Sequence, residues 1–205
     1  MTDNNNEEEN EIIIKLVIIG DSMVGKTNFL YRFVDGVFNA VHTSTVGFDF
    51  KPKIHYMKNL NKKIKFYVWD TAGQEKYMAI NKSLFQRVQG IILMYDISDE
   101  SSFNNLPKWI NLIKEYANNL PFILVGNKSD LQDLRKIPFE KGENFAKQND
   151  IKFLETSSKS GENVDKCFEI IGEIVMNNLN NTKNENNNNY VISKTNSKKT
   201  KKKCC

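Results

Sequence analysis

The sequence predicts an α/β fold: a six-stranded, mostly parallel sheet with one antiparallel strand and helices on both faces. Three observations carry this. Short apolar runs recur at Ile12–Ile19, Lys63–Trp69, Ile91–Tyr95, Phe122–Val125 and Ile151–Leu154, most ending at small or polar residues, as buried strands do. Helical stretches separate most of them, and alternating strand and helix builds a parallel sheet covered on both sides. One pair breaks the alternation. Phe48–Tyr56 joins Lys63–Trp69 through Asn59-Leu60-Asn61, too short a link for a parallel crossover, so those two strands form an antiparallel hairpin.

The elements follow in order. Ile12–Ile19 is interrupted only by Lys15 and runs into a glycine-bounded loop with an apolar helical stretch behind it. From Ser102 onward Phe103, Leu106, Ile110, Ile113 and Ala117 keep the 3.6-residue period, and Val164, Cys167, Phe168, Ile171 and Val175 keep it again in the last segment. Both are read as amphipathic helices. Cys167 falls on the second apolar stripe and is expected in the core.

Composition sets the outer limits. At 205 residues, 40% hydrophobic and 26% charged, the chain has the make-up of one globular domain. No run is apolar and long enough to span a bilayer. Met1–Glu11 is rich in Asn and Glu, so no secretory leader is expected and the compartment is read as cytosolic and reducing. Three Cys, two of them the final residues, exclude a disulfide framework. Charge is uneven: Met1–Glu11 carries five acidic side chains and no basic one, whereas 180–205 carries seven Lys against Glu185 alone. Ten of the twenty residues from Asn177 to Asn196 are Asn, too polar to offset the entropy of ordering them. The chain therefore divides into a flexible acidic arm (1–11), one domain (12–179) and a disordered Asn- and Lys-rich tail (180–205). The tail's only aromatic is Tyr190, and its Lys lie off the folded face, so no nucleic-acid partner is expected.

The chemistry begins at Gly20-Asp21-Ser22-Met23-Val24-Gly25-Lys26-Thr27, a G-x-x-x-x-G-K-[ST] sequence in the order strand, loop, helix. Backbone N–H groups of such a loop, with the positive end of the following helix, surround a polyphosphate. Lys26 adds a charge reaching the β- and γ-phosphates, and the Thr27 hydroxyl coordinates Mg²⁺. Asp70 ends a strand in Trp69-Asp70-Thr71-Ala72-Gly73-Gln74-Glu75. Alone it reads as a turn or capping residue; downstream of a phosphate loop it reads as a carboxylate on the Mg²⁺ side. Asn127-Lys128-Ser129-Asp130 follows Phe122–Val125 directly, while the near miss Asn81-Lys82-Ser83-Leu84 lies in a polar helical stretch. A carboxylate such as Asp130 only accepts hydrogen bonds, and guanine offers N1–H and the 2-amino group side by side where adenine offers neither. Guanine is the expected base.

These segments, with Glu155-Thr156-Ser157-Ser158-Lys159, resemble the Ras superfamily of small GTPases and, more closely, its Rab branch. The resemblance covers Ile12–Leu179, with five family motifs in family order. It implies the small G-protein form of the P-loop NTPase fold and a GTP hydrolase that holds GTP or GDP with Mg²⁺. Carried over by position, Thr45 contacts Mg²⁺ and γ-phosphate, Gly73 donates its N–H to γ-phosphate, and Gln74 orients the attacking water. Phe38 packs on the guanine, its competing role being a core aromatic. Ser157, Ser158 and Lys159 complete the base pocket, and Asn127 supports both that pocket and the phosphate loop. Departures from the Rab pattern fall at Met23, His42, Lys76-Tyr77-Met78 and Leu84-Phe85-Gln86-Arg87-Val88. They bear on partner recognition, because segments that sense γ-phosphate are also read by partners.

The expected function is a membrane-anchored GTP/GDP switch with slow intrinsic hydrolysis that regulates vesicle trafficking. Competing readings are a signalling GTPase outside trafficking, a phosphate-loop kinase or ATPase, and a non-catalytic membrane adaptor. Only Arg32, Arg87 and Arg135 exist and none falls between Phe38 and Thr45, so a partner's arginine is expected to accelerate turnover. Cys204-Cys205 follows five Lys within six residues, and the resemblance implies geranylgeranylation of both thiols. Two lipids beside a basic patch give stable anchoring to the cytoplasmic face of a membrane, with a cytosolic pool. Implied partners are an exchange factor, a GTPase-activating protein, effectors reading the segments around 42–50 and 70–88, a GDP-dissociation inhibitor and a prenyl transferase. The protein itself is expected to be a monomer.

Overall fold

The computed structural model describes residues 12–40, 48–71 and 83–196, with 48–49 and 182–196 described by backbone alone. Six strands form one sheet in the order β2-β3-β1-β4-β5-β6. They are β1 (Ile12–Gly20), β2 (Phe48–Met57), β3 (Lys62–Thr71), β4 (Gly90–Asp96), β5 (Phe122–Asn127) and β6 (Lys152–Thr156). Only β2 runs antiparallel, paired with β3 from Phe48 opposite Thr71 to Met57 opposite Lys62. The hairpin turn is a single 3₁₀ turn, Lys58–Leu60, closed by Asn61 in the left-handed region that Asn tolerates. β4 is buried along its whole length, which is why its sequence is a continuous apolar run rather than an alternating one.

The register matters most for function. Ile18 lies opposite Asp70, Gly20 opposite Met94, Asp96 opposite Asn127, and Asn127 opposite Thr156. Five parallel strands thus deliver their carboxyl ends to one rim, where α/β sheets collect ligands.

Helices cover both faces. α1 (Lys26–Asp35) and α5 (Val164–Asn196) lie on one, burying Phe29, Phe33, Cys167, Phe168, Ile171 and Val175 against Leu16, Phe66 and Val68. On the other, Leu106, Trp109, Ile110 and Ile113 pack on Val17, Leu93 and Leu124. The periodic stretch after Ser102 is two helices, α2 (Glu100–Asn104) and α3 (Leu106–Tyr116), rather than one. Pro107, in the first turn of α3, has no N–H to continue the ladder, while the apolar stripe keeps its phase across the break. α4 (Phe139–Gln148) completes this face beside β6. Leu84, Phe85 and Val88, where the chain departs from the Rab pattern, are buried in the same core, and Gln86 and Arg87 between them are exposed.

The last helix, α5, runs through Asn196. Among the described side chains Val175 is its last buried apolar residue, and Leu179 is exposed. Among the described residues no helix is long and apolar enough to cross a membrane.

Tyr95 is fully buried in the second core, and its hydroxyl has no hydrogen-bond partner among the described residues. Burial pushes this phenol far above its ordinary pKa, Glu155 pushes it the same way, and Arg135 opposes. A glycine at 142, inside α4, is required by this ring, since a Cβ there would lie 2.4 Å from the Tyr95 hydroxyl. Tyr95→Phe removes a desolvated group without opening a cavity. It should raise stability by about 1 kcal/mol, or about 2–4 °C in Tm. A fall of that size in a thermal melt would show that the hydroxyl has a partner.

Candidate functional site

The site begins where β1 ends. Gly20 has φ 141° and stands so close to β4 that a Cβ would lie 2.2 Å from the Met94 carbonyl oxygen. Gly25 caps α1 with φ 97°, and a Cβ there would lie 2.5 Å from Asn127 Nδ2. Neither position admits a side chain, so the loop between them is drawn tight over the start of α1. Met23 is also left-handed, at φ 67°, and 56% exposed. A side chain with a Cβ in that region is strained by about 1–2 kcal/mol. Met23→Gly should add about 1 kcal/mol of stability, read as a rise in Tm, and a fall would show that the Met side chain contributes packing.

Lys26 lies beneath its own loop. Its Nζ donates to the carbonyls of Gly20 at 2.9 Å and Asp21 at 2.6 Å, and only 5% of the residue is exposed. Burial lowers its pKa to about 8 against the opposing pull of Asp70 and Asp21. An ammonium held short of counter-charge in this way favours an anion at the loop. Next to it the Thr27 hydroxyl donates to Asp70 Oδ2 at 2.5 Å, so a residue opening α1 and one closing β3 put two oxygen ligands side by side. Hard oxygen donors of this kind suit Mg²⁺, which takes one or two protein ligands and completes its shell with phosphate oxygens and water.

The other half of the rim is built around Asn127, 1% exposed at the end of β5. Its Nδ2 donates to the Val24 carbonyl of the phosphate loop at 2.9 Å. Its Oδ1 accepts from Thr156 Oγ1 at 3.1 Å, Ser158 Oγ at 3.1 Å and the Ser158 backbone N–H at 3.3 Å. One amide therefore joins the loop after β1, the end of β5 and the loop after β6. Lys128 is left-handed at φ 68° and pairs with Asp96 at 2.7 Å, fixing the chain as it leaves β5. Asp130 is exposed, and its Oδ1 accepts from Ser157 Oγ at 2.6 Å, so the loops after β5 and β6 are tied directly. Lys159 is exposed beside them. Phe38 is 37% exposed in the loop after α1, which removes the alternative of a core aromatic.

The structure thus brings together Gly20 to Thr27, Asp70, Asn127, Lys128, Asp130, Ser157, Ser158 and Lys159, with Phe38 in the adjoining loop. Thr45, Gly73, Gln74, Cys204 and Cys205 lie outside the described residues, as do His42 and Lys76-Tyr77-Met78. Reading by sequence missed a contact of the phosphate loop itself. The Asp21 carboxylate accepts from Asn105 Nδ2 and Trp109 Nε1, each at 2.7 Å, and is thereby turned out of an anion-binding loop it would otherwise oppose. The available signal was an acid inside the loop motif and a tryptophan on a buried stripe, whose indole N–H needs an acceptor.

Comparison with known proteins agrees with this geometry. A family model described as the Ras family matches residues 15–177. Human "Ras-related protein Rab-8B" is 43% identical over 176 residues, 85% of this chain and 84% of that protein. "Ras-related protein Rab-10" of Diplobatis ommata is 43% identical over 81% of this chain and 82% of its own length. "Ras-related protein Rab-3C" of Bos taurus is 46% identical over 80% of this chain and 72% of its own.

Proposed function

Because the chain belongs to the Ras family and, within it, to the Rab branch of small GTPases, we propose that this GTP hydrolase is a lipid-anchored switch of vesicle trafficking whose nucleotide sits along the rim described above. The observation that carries the assignment of the rim is Asn127, whose one side chain ties the phosphate loop to the loop after β6. A ligand reaching from one to the other has a polyphosphate at the first and a base at the second. Asp130 selects guanine, because both groups that guanine offers there are donors.

GTP and water give GDP and phosphate. Lys26 neutralises charge on the phosphoryl group as the bond to the leaving oxygen breaks, and the loop N–H groups hold the β-phosphate. Thr27, Thr45 and the Asp70 side would hold Mg²⁺, which would supply further positive charge at the phosphate oxygens. Gln74 orients the water for in-line attack. Hydrolysis is slow without help, and the positions of the arginines support this. Arg32 donates to the Gly36, Ser158 and Lys159 carbonyls, and Arg135 pairs with Glu155 through two hydrogen bonds of 2.7 Å. Arg87 is exposed in the turn before β4, at the end of that strand opposite the rim. A partner's arginine supplies the missing charge, worth about 10³–10⁵ in rate in GTPases generally.

Loss of the γ-phosphate releases the contacts of Thr45 and Gly73, so exchange factor, activating protein, effectors and GDP-dissociation inhibitor each read one of two states. Geranylgeranyl groups on Cys204 and Cys205, with the adjoining Lys, hold the protein on the cytoplasmic face of an anionic membrane, each Lys adding about 1 kcal/mol. Titration with GDP and ADP, followed by single-turnover phosphate release, tests the core of this reading. GDP should bind far more tightly than ADP, with slow release of phosphate; equal affinities would refute the base assignment and fast unaided release the trans arginine. Mass spectrometry of the cellular protein tests the anchor, which an unmodified terminus would exclude.

A further inference from the structure

Arg32 stands in the last turn of α1, roughly 9 Å along the helix from Lys26 at 1.5 Å per residue. Among the described residues its guanidinium makes three hydrogen bonds, all to backbone carbonyls and none to a carboxylate. Nε donates to Ser158 O at 2.8 Å, Nη2 to Lys159 O at 2.6 Å and Nη1 to Gly36 O at 2.5 Å. Two of these carbonyls belong to the loop after β6, and the third to the glycine, at φ 70°, from which the chain leaves α1. The loop also wraps the stem of the side chain, since a Cβ at Gly161 would meet Arg32 Cδ at 3.5 Å.

Both connected segments are held a second time. Ser158 is gripped from its other side by Asn127, which accepts from its N–H and its hydroxyl. The chain after Gly36 is tied again to α1 at Asn39, where Asn28 Nδ2 donates to the Asn39 carbonyl at 2.9 Å and the Asn39 N–H donates to Asn28 Oδ1 at 3.1 Å. Phe38 therefore lies between two tethers to one helix, and the first of them is shared with the base loop. Three charge-assisted bonds from one planar fork restrain these segments only while all are in place.

We propose that Arg32 is a positioning residue that couples the guanine pocket to the root of the segment carrying Phe38, so that displacing either loosens the other. The inference rests on the guanine-nucleotide reading of the rim. The Ser157–Lys159 loop sets Asp130 through the Ser157 hydroxyl, at 2.6 Å, so slack in that loop reaches the group that reads the base. A partner that draws the Phe38 segment away removes the Gly36 carbonyl from Arg32 and weakens the hold on the base without touching it. Coupling between two sites is reciprocal, so bound guanine in turn holds the segment against α1.

The test compares Arg32→Lys and Arg32→Ala with the wild-type chain, by release of GDP and by affinity for GDP against inosine diphosphate, which lacks the 2-amino group. Lys keeps the charge and the apolar stem but cannot reach three carbonyls, so it remains informative if the Ala variant folds poorly. Both variants should release GDP about 10-fold faster, the loss expected for charged hydrogen bonds. The preference for GDP over inosine diphosphate should fall several-fold, because Asp130 is less well set. Wild-type release from the Lys variant would overturn the coupling, as would faster release with the preference intact, the mark of a general loosening of the fold. A wild-type chain that fails to prefer GDP over ADP would overturn the guanine reading itself and this inference with it.

Discussion

Asn127→Ala is expected to release GDP at least ~100-fold faster than the wild-type chain and to lower Tm by about 6–12 °C. The side chain is fully enclosed and uses both ends of its amide. Truncation leaves the Val24 carbonyl, the Thr156 hydroxyl and the N–H and hydroxyl of Ser158 short of a partner. Unmade buried bonds cost about 1–3 kcal/mol each and are not additive, so about 3 kcal/mol is a fair sum. For a chain of this size each kcal/mol is about 2–4 °C. Nucleotide binding suffers beyond stability, since the severed contacts are those aligning the phosphate loop with the base pocket. About 2.7 kcal/mol of lost alignment is a factor of about 100. Asn127→Asp separates the two roles: it keeps the acceptor toward Ser158 and Thr156 but loses the donor to Val24, and it should fall between wild type and the Ala variant in both measurements. Release from the Ala variant at the wild-type rate would remove Asn127 from the centre of the site.

What was legible in the chain divides by the range over which a signal acts. The order of strands and helices is a local matter of period and turn chemistry, so Phe48–Tyr56 and Lys63–Trp69 read correctly as an antiparallel hairpin from the short link at Asn59-Leu60-Asn61. The candidate site residues were legible as motifs because Gly20–Thr27 and Asn127–Asp130 are each contiguous and each follow a buried strand. Contacts between remote side chains left no such trace. Trp109 to Asp21, Lys128 to Asp96 and Arg32 to Ser158 join segments whose spacing is set by the folded sheet alone. The break at Asn105 shows the opposite failure. A period of 3.6 survives a local interruption, so Phe103 and Leu106 kept one stripe while Pro107 divided the helix. Beyond Leu179 the composition carries no apolar stripe to read, while the backbone of α5 continues to Asn196.

Asp130→Asn should weaken GDP binding by at least ~100-fold and create measurable affinity for xanthosine diphosphate, with Tm changed by no more than about 2 °C. The stability argument comes first: Asp130 is exposed, among the described residues its one hydrogen bond is from the Ser157 hydroxyl, and an amide oxygen accepts that bond as well. Surface changes of this kind stay within about 0.5 kcal/mol. Binding is a different matter, since Asp faces the guanine N1–H and 2-amino group with two acceptors, and Asn replaces one acceptor by a donor. One charge-assisted bond is lost and a donor is set against a donor, each worth about 1.5–3 kcal/mol. Xanthine carries a carbonyl where guanine carries the amino group, so the same donor then finds an acceptor. A site built on hydrogen bonds discriminates by what an unmatched base leaves unpaired, and the preference should therefore invert instead of merely fading. A variant that lost affinity for both bases alike would show that Asp130 orders the loop after β5 and does not read the purine, and a variant retaining GDP within a few-fold would move base recognition elsewhere on the rim.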